Sequence, residues 1–206
     1  MIKFDPKLLE EVEIAKEKLF NHGVIAFPTE TVMGLGVLYN DRQAYDRLNQ
    51  IKRRPEDKPY TMMVAELEDI AKYAVVDEPT QRVINAFMPG SITLLLNVKD
   101  NSVPAYVTHN TGIIGIRIPS NLEARMLLQI TREPLLVPSA NRSGEAPAMN
   151  SDEVKNIFGN EVDFVISGKA NSGLPSTIVD LTKGQVIVVR EGPISKEQIE
   201  RVYYNK

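Results

Sequence analysis

The run Gly112-Ile113-Ile114-Gly115-Ile116-Arg117-Ile118-Pro119, with residues 122–130 and then Leu135-Leu136-Val137 behind it, decides the fold class. The first run is short, apolar and stopped by Pro119, which reads as a buried strand. In residues 122–130, Met126, Leu127 and Ile130 fall on one side of a helix. A second apolar strand follows at 135–137, and after it the polar loop 139–147. Strand, helix, strand and polar loop in this order describe a sheet flanked by helices. Arg117 stands out, because a charge on an apolar strand is costly without a partner. Either a bound carboxylate or a structural ion pair would supply one.

Working outward, the N-terminal side repeats the theme. Asp5 can cap a helix that has Pro6 in its first turn and Leu8, Val12, Ala15 and Leu19 on one face. His22-Gly23 ends it, with Gly23 expected in the left-handed turn and His22 as a cation at the negative end of the helix dipole. Val24-Ile25-Ala26-Phe27 is a short strand, and Pro28-Thr29-Glu30-Thr31 cannot extend it. A glycine-spaced stretch containing Gly34 and Gly36 leads to a helix at about 41–51. Residues 52–59 read as a loop, 61–64 as a strand, 66–73 and 79–87 as helices, and 92–98 as a strand. On the C-terminal side, 152–158 reads as a helix, while 162–166, 177–181 and 185–190 read as strands. Ser195 with Gln198 forms a capping box for a last helix, in which Ile199 and Val202 face inward. Adjacent and helix-separated strands alternate irregularly. The expectation is an α+β domain spanning 1–206, with one mixed sheet of about seven strands.

Composition narrows the chemistry. The 206 residues contain no Cys and two His, which removes disulfides, thiolate catalysis and Cys-bound metal together. A formal charge of −3 argues against wholesale nucleic-acid coating, though not against a local basic patch. No apolar run approaches the ~18 residues of a membrane helix, and no signal-peptide core is evident, so a cytoplasmic protein is expected. The common nucleotide signatures, G-x-x-x-x-G-K-[ST] and strand-linked G-x-G-x-x-G, are absent, as are H-E-x-x-H and G-x-S-x-G.

Four loops, 28–36, 52–59, 139–144 and 167–177, read as polar residues concentrated right after an apolar strand, where binding groups of such proteins cluster. Lys52-Arg53-Arg54-Pro55-Glu56-Asp57-Lys58-Pro59 holds four cations between fixed backbone points, which suits either an anion site or a solvated helix end. Ser139-Ala140-Asn141-Arg142-Ser143-Gly144 offers hydroxyls and an amide for phosphate or ribose oxygens, or forms an ordinary turn. Thr29 and Thr31 would point to one side of an extended backbone.

Taken in order, six motifs resemble the YrdC-type threonylcarbamoyl-AMP synthases. They are Pro28-Thr29-Glu30-Thr31-Val32-Met33-Gly34-Leu35-Gly36, Lys52-x-Arg54-Pro55-x-x-Lys58-Pro59, Pro89-Gly90-x-x-Thr93-Leu94, Gly115-x-Arg117-x-Pro119, Pro138-Ser139-Ala140-Asn141-x-Ser143-Gly144 and Ser176-Thr177-x-x-Asp180. The match runs from about residue 10 to 195. The resemblance implies a YrdC-like fold with a concave basic cavity. It further implies that L-threonine, bicarbonate and ATP, with Mg²⁺, give threonylcarbamoyl-AMP and pyrophosphate. The product would supply threonylcarbamoyladenosine at position 37 of tRNAs reading codons that begin with A.

Carried over by position, Lys52 and Arg54 would be catalytic, and with Lys58 would contact the phosphates. Ser139, Asn141 and Arg190 would bind the nucleotide. Thr29, Thr31, Arg117 and Ser176 would hold threonine, Arg117 through its carboxylate. No protein-held metal is expected. Contact with tRNA or double-stranded RNA, and with other proteins of the tRNA pathway, would follow from such a role. Met63 stands where longer, two-domain members carry His, and Met33 where an aromatic is common. YciO-type relatives, whose activity is poor or undefined, and an RNA-binding module without chemistry are the alternatives.

Overall fold

The computed structural model describes residues 5–53, 59–100 and 102–205. Helix α1 (Pro6–Phe20) starts where the sequence predicts: Asp5 accepts a hydrogen bond from the Lys7 amide, and proline occupies the first turn. Its end differs from expectation. His22 takes the left-handed conformation with φ 59°, and Gly23 does not. Gly23 is needed for space instead, because a Cβ there would lie 2.6 Å from the Lys18 carbonyl oxygen. The His22 ring sits 2.8 Å from Asp41, so an acid faces it as well as the helix end.

Strand β1 (Ile25–Phe27) leads to β2 (Gly34–Leu38), a strand where the sequence suggested only a glycine-spaced connection. Gly36 explains how it fits: a Cβ would stand 2.8 Å from the Phe27 ring on the neighbouring strand. Then come α2 (Arg42–Lys52), β3 (Thr61–Met63), α3 (Leu67–Tyr73), α4 (Glu78–Phe87), β4 (Ile92–Asn97) and α5 (Ala105–Thr108). The chain continues through β5 (Ile113–Arg117), α6 (Leu122–Thr131), β6 (Leu135–Leu136), α7 (Ser151–Phe158), β7 (Phe164–Val165), β8 (Thr177–Asp180), β9 (Ile187–Arg190) and α8 (Lys196–Tyr203). The predicted Ser195–Gln198 capping box is present at the start of α8.

The strands form one mixed sheet in the order β7-β1-β2-β6-β3-β5-β4-β8-β9, nine strands among the described residues rather than about seven. Pairs β1–β7, β3–β5 and β4–β8 are parallel and the other pairs antiparallel. Strand alternation sends side chains to two separate cores. Ala26, Met62, Ile114, Ile116 and Leu136 join the core beneath α2, α3, α4, α5, α7 and α8. Ile25, Phe27, Met63 and Leu135 join the other core, beneath α1 and α6. Among the described residues six helices cover one face of the sheet and two the opposite face, so part of the second face is left open. Arg117 emerges there. Its strand neighbours Ile114 and Ile116 lie in the six-helix core, and the two-residue period turns Arg117 away from them.

Candidate functional site

On that open part of the sheet lies a cavity of about 390 Å³, a size that accommodates a small ligand. Its lining includes Thr61 and Met63 of β3, Arg117 of β5, Ile178 of β8 and Arg190 of β9. Loops 29–34, 137–147 and 173–176 complete it. Seven of the ten residues expected from sequence stand in that lining: Thr29, Thr31, Arg117, Ser139, Asn141, Ser176 and Arg190. Arg54 and Lys58 lie outside the described residues.

Arg117 is 4% exposed. Its Nε donates to the Gly90 carbonyl at 3.2 Å, and Nη2 donates to Thr31 Oγ1 at 3.0 Å. Nη2 also lies 2.7 Å from the carboxylate of Glu30. Neither Glu30 oxygen has a hydrogen-bond partner, so this contact is ionic and out of line for a hydrogen bond. Of the two partners posed for Arg117, the structure shows the ion pair. Nη1, with no hydrogen bond among the described residues, remains as a donor for a ligand.

The two threonines form a directed chain. Thr29 Oγ1 donates to the Val32 carbonyl at 2.7 Å, which spends its one hydrogen. The 2.8 Å contact between the hydroxyls must therefore use the Thr31 hydrogen, with Thr29 accepting. Thr29 also accepts from the Thr31 amide at 3.1 Å, so its lone pairs are filled. Thr31, which accepts from Arg117, keeps one lone pair. It can receive an N–H or O–H of a ligand but cannot donate to a carboxylate. Only Arg117 of this trio can hold an anion.

Arg190 crosses to the cavity from β9. Its Nε and Nη2 donate to the Ser176 carbonyl at 3.0 and 2.9 Å, and Nη2 also reaches Ser176 Oγ at 3.1 Å. Ser176 Oγ in turn meets Thr93 Oγ1 at 2.9 Å. Burial, and then the charge of Arg117, lower the Arg190 guanidinium from its ordinary value, though it stays a cation. Both guanidinium groups line the same cavity, so an anion there would face two cations. Gly192 makes the loop geometry possible: a Cβ there would lie 2.4 Å from the Thr177 amide and 2.5 Å from the Pro175 carbonyl oxygen.

Lys52, expected either at an anion site or on a solvated helix end, is not solvated: it is 1% exposed and absent from the cavity lining. Its ammonium donates to the carbonyls of Ser139 at 2.5 Å and Asn141 at 2.7 Å, and to Asn141 Oδ1 at 3.3 Å. The Asn141 amide donates to the carbonyls of Arg142 and Glu145, both at 2.8 Å, and its Oδ1 also accepts from Ser139 at 2.6 Å. Asn141 therefore spends its side chain on shaping loop 139–145. Helix geometry explains the burial: Lys52 closes α2, with the Arg53 C-cap left-handed at φ 50°, and the loop lies across it.

Two residues had no assigned role in the sequence reading: Glu30 behind Arg117, and Thr93 beneath Ser176. Both stood inside quoted motifs. Only the three-dimensional pairing shows what each one touches. The cavity lining holds the cations Arg117 and Arg190 and one carboxylate, Glu145. No cluster of three or more His, Cys, Asp or Glu side chains that could hold a metal exists among the described residues. No helix among them is long and apolar enough to cross a membrane.

Comparison with known proteins adds the following. The Sua5/YciO/YrdC family model, whose description is "Telomere recombination", matches residues 17–192. The threonylcarbamoyl-AMP synthase of Pyrococcus abyssi is 31% identical over 194 residues, covering 93% of this chain and 57% of that protein. The uncharacterized protein YciO of Escherichia coli is 32% identical over 171 residues, covering 82% of this chain and 83% of its own length. Among solved structures, P. abyssi Sua5 complexed with L-threonine has a TM-score of 0.88 at 30% identity, covering 93% of this chain and 56% of that one. The crystal structure of E. coli YciO has a TM-score of 0.86 at 28% identity, covering 96% of this chain and 95% of that one. The chain thus spans little more than half the length of the synthase and closely matches the length of YciO. With a family model covering most of its residues and the fold of both solved relatives, the chain belongs to the Sua5/YciO/YrdC family.

Proposed function

We propose that the chain is a threonylcarbamoyl-AMP synthase, a nucleotidyltransferase acting on L-threonine, bicarbonate and ATP. One observation carries the reading: Arg117 keeps Nη1 free of hydrogen bonds among the described residues at a cavity, beside a Thr31 hydroxyl that can only accept. A group bearing a carboxylate and an adjacent N–H or O–H donor satisfies both, and L-threonine is such a molecule. The P. abyssi relative crystallised with L-threonine supports the choice.

In this reading the Arg117 fork takes the threonine carboxylate and Thr31 accepts from its amine or hydroxyl, while Thr29 holds Thr31 in place. The threonine amine adds to bicarbonate, releasing water and giving a carbamate. A carbamate oxygen attacks the α-phosphorus of ATP, and pyrophosphate leaves. The nucleophile comes from the substrate, so the protein needs no Ser, Cys or His nucleophile. Its task is to hold two anions close together and to neutralise charge as it develops.

Arg190 and Ser176 would stand at the junction of amino acid and nucleotide, and the 139–145 loop against the nucleotide. Lys52 would act from beneath that loop, and Arg54 with Lys58 on the phosphates. Mg²⁺ would arrive with the triphosphate, as is usual for phosphate-bound magnesium. The product would feed threonylcarbamoyladenosine formation at position 37 of tRNAs reading ANN codons in the cytoplasm. Contacts with tRNA and with other proteins of that pathway belong to the same proposal.

A second reading is favoured by the YciO likeness, which covers nearly the whole of both chains: the same cavity with another small carboxylate as substrate. ATP-dependent pyrophosphate release, measured with and without threonine and bicarbonate, separates the two. Release that requires both supports the synthase. Release indifferent to threonine favours the YciO-like reading. No release under any condition, with RNA affinity surviving Arg117→Ala, favours an RNA-binding module.

A further inference from the structure

Glu30 is nine-tenths buried, and neither carboxylate oxygen has a hydrogen-bond partner. Such a group is costly unless a charge offsets it. The offsetting charge is Arg117, whose Nη2 lies 2.7 Å away. Arg117 lines the cavity and Glu30 does not, so Glu30 can reach a ligand's chemistry only through Arg117. The manner of contact matters. A bidentate carboxylate–guanidinium pair would have consumed two nitrogens of the fork. Here the close contact of Glu30 is with Nη2 and is not a hydrogen bond, Gly90 takes Nε, Thr31 shares Nη2, and Nη1 makes no hydrogen bond among the described residues. Glu30 also balances Arg117, whose charge acts on Arg190 in the same cavity lining.

We propose that Glu30 is the positioning residue of the amino-acid end. It anchors the Arg117 guanidinium from behind, so that Nη1 is presented to a ligand carboxylate. The inference rests on the reading of this cavity as the threonine site.

The test combines calorimetric binding of L-threonine with steady-state pyrophosphate release, in wild type, Glu30→Gln, Arg117→Gln and the double variant. Glu30→Gln should raise the threonine Kd and KM tenfold or more and leave the ATP KM within twofold. Glu30→Asp, which keeps the charge on a shorter arm, should recover part of that loss. In the Arg117→Gln background, adding Glu30→Gln should change kcat/KM for threonine less than twofold. It should also restore thermal stability, since no lone buried charge remains. Should Glu30→Gln fail to fold, Glu30→Asp and the comparison of Arg117→Gln with the double variant decide alone. Threonine binding in Glu30→Gln equal to wild type overturns the proposal, as does an equal loss in both Arg117 backgrounds. A wild-type protein that binds no threonine overturns the proposed function and this inference with it. Wild-type binding with an indifferent Glu30→Gln overturns the inference alone.

Discussion

Lys52→Met removes the buried ammonium and keeps most of the aliphatic stem, so it isolates the charge from its packing. The two short bonds, to the carbonyls of Ser139 at 2.5 Å and Asn141 at 2.7 Å, are lost. A buried acceptor left unsatisfied costs about 1–3 kcal/mol, and relief of the ammonium's own burial returns part of that. A net loss of roughly 3 kcal/mol is expected. For a chain of 206 residues the unfolding entropy is about 0.4 kcal/mol per kelvin, so Tm should fall by about 7 °C. The same bonds shape the 139–145 loop, so the ATP KM should rise more than the threonine KM. Scanning calorimetry and initial rates measure both. A Tm within 2 °C of wild type, with ATP kinetics unchanged, would refute the claim that this ammonium pins the loop. A lysine that acts only by touching phosphate would instead lower turnover at unchanged Tm.

Other perturbations probe the remaining parts of the site. Arg117→Lys keeps the charge and loses the planar fork, so the threonine KM should rise more than the ATP KM; a threonine-bound structure with the carboxylate remote from residue 117 would contradict this. Gly192→Ala drives a methyl into the Thr177 amide and Pro175 carbonyl. It should lower Tm by several degrees and displace Ser176, with kcat/KM for threonine falling at least tenfold in the same assays. Thr31 offers one lone pair and Met63 lines the cavity without a polar group. Discrimination should therefore be real but modest, with serine accepted weakly and valine very poorly; equal kcat/KM for valine and threonine would show that the hydroxyl is not read.

Much of the architecture was legible in the chain because local signals agree with the global fold. Asp5-Pro6 and Ser195 with Gln198 cap their helices as read, and short apolar runs bounded by Pro and Gly become strands. β2 was not legible. Its glycines look like a turn, and only the Phe27 ring on the adjacent strand explains why residue 36 must lack a side chain. The left-handed residue after α1 is His22, the first past the Asn21 cap, and Gly23 follows it with its amide on the Lys18 carbonyl, so glycine there provides space rather than the turn.

The site divides along the same line. Residue types and their spacing identified the loops and singled out Arg117, because a charge on an apolar strand is anomalous in one dimension. Tertiary structure decided what each charge does. Lys52 and Arg117 are both cations beside polar loops in the sequence, yet one is sealed under the 139–145 loop and the other faces a cavity. Glu30 lies between two threonines in the sequence, and only the fold brings it to Arg117, 87 positions along the chain. Sequence fixes charge and period, which are local properties. Burial and pairing depend on distant segments packing together, and these decide whether a charge binds a ligand, holds a loop or positions another charge.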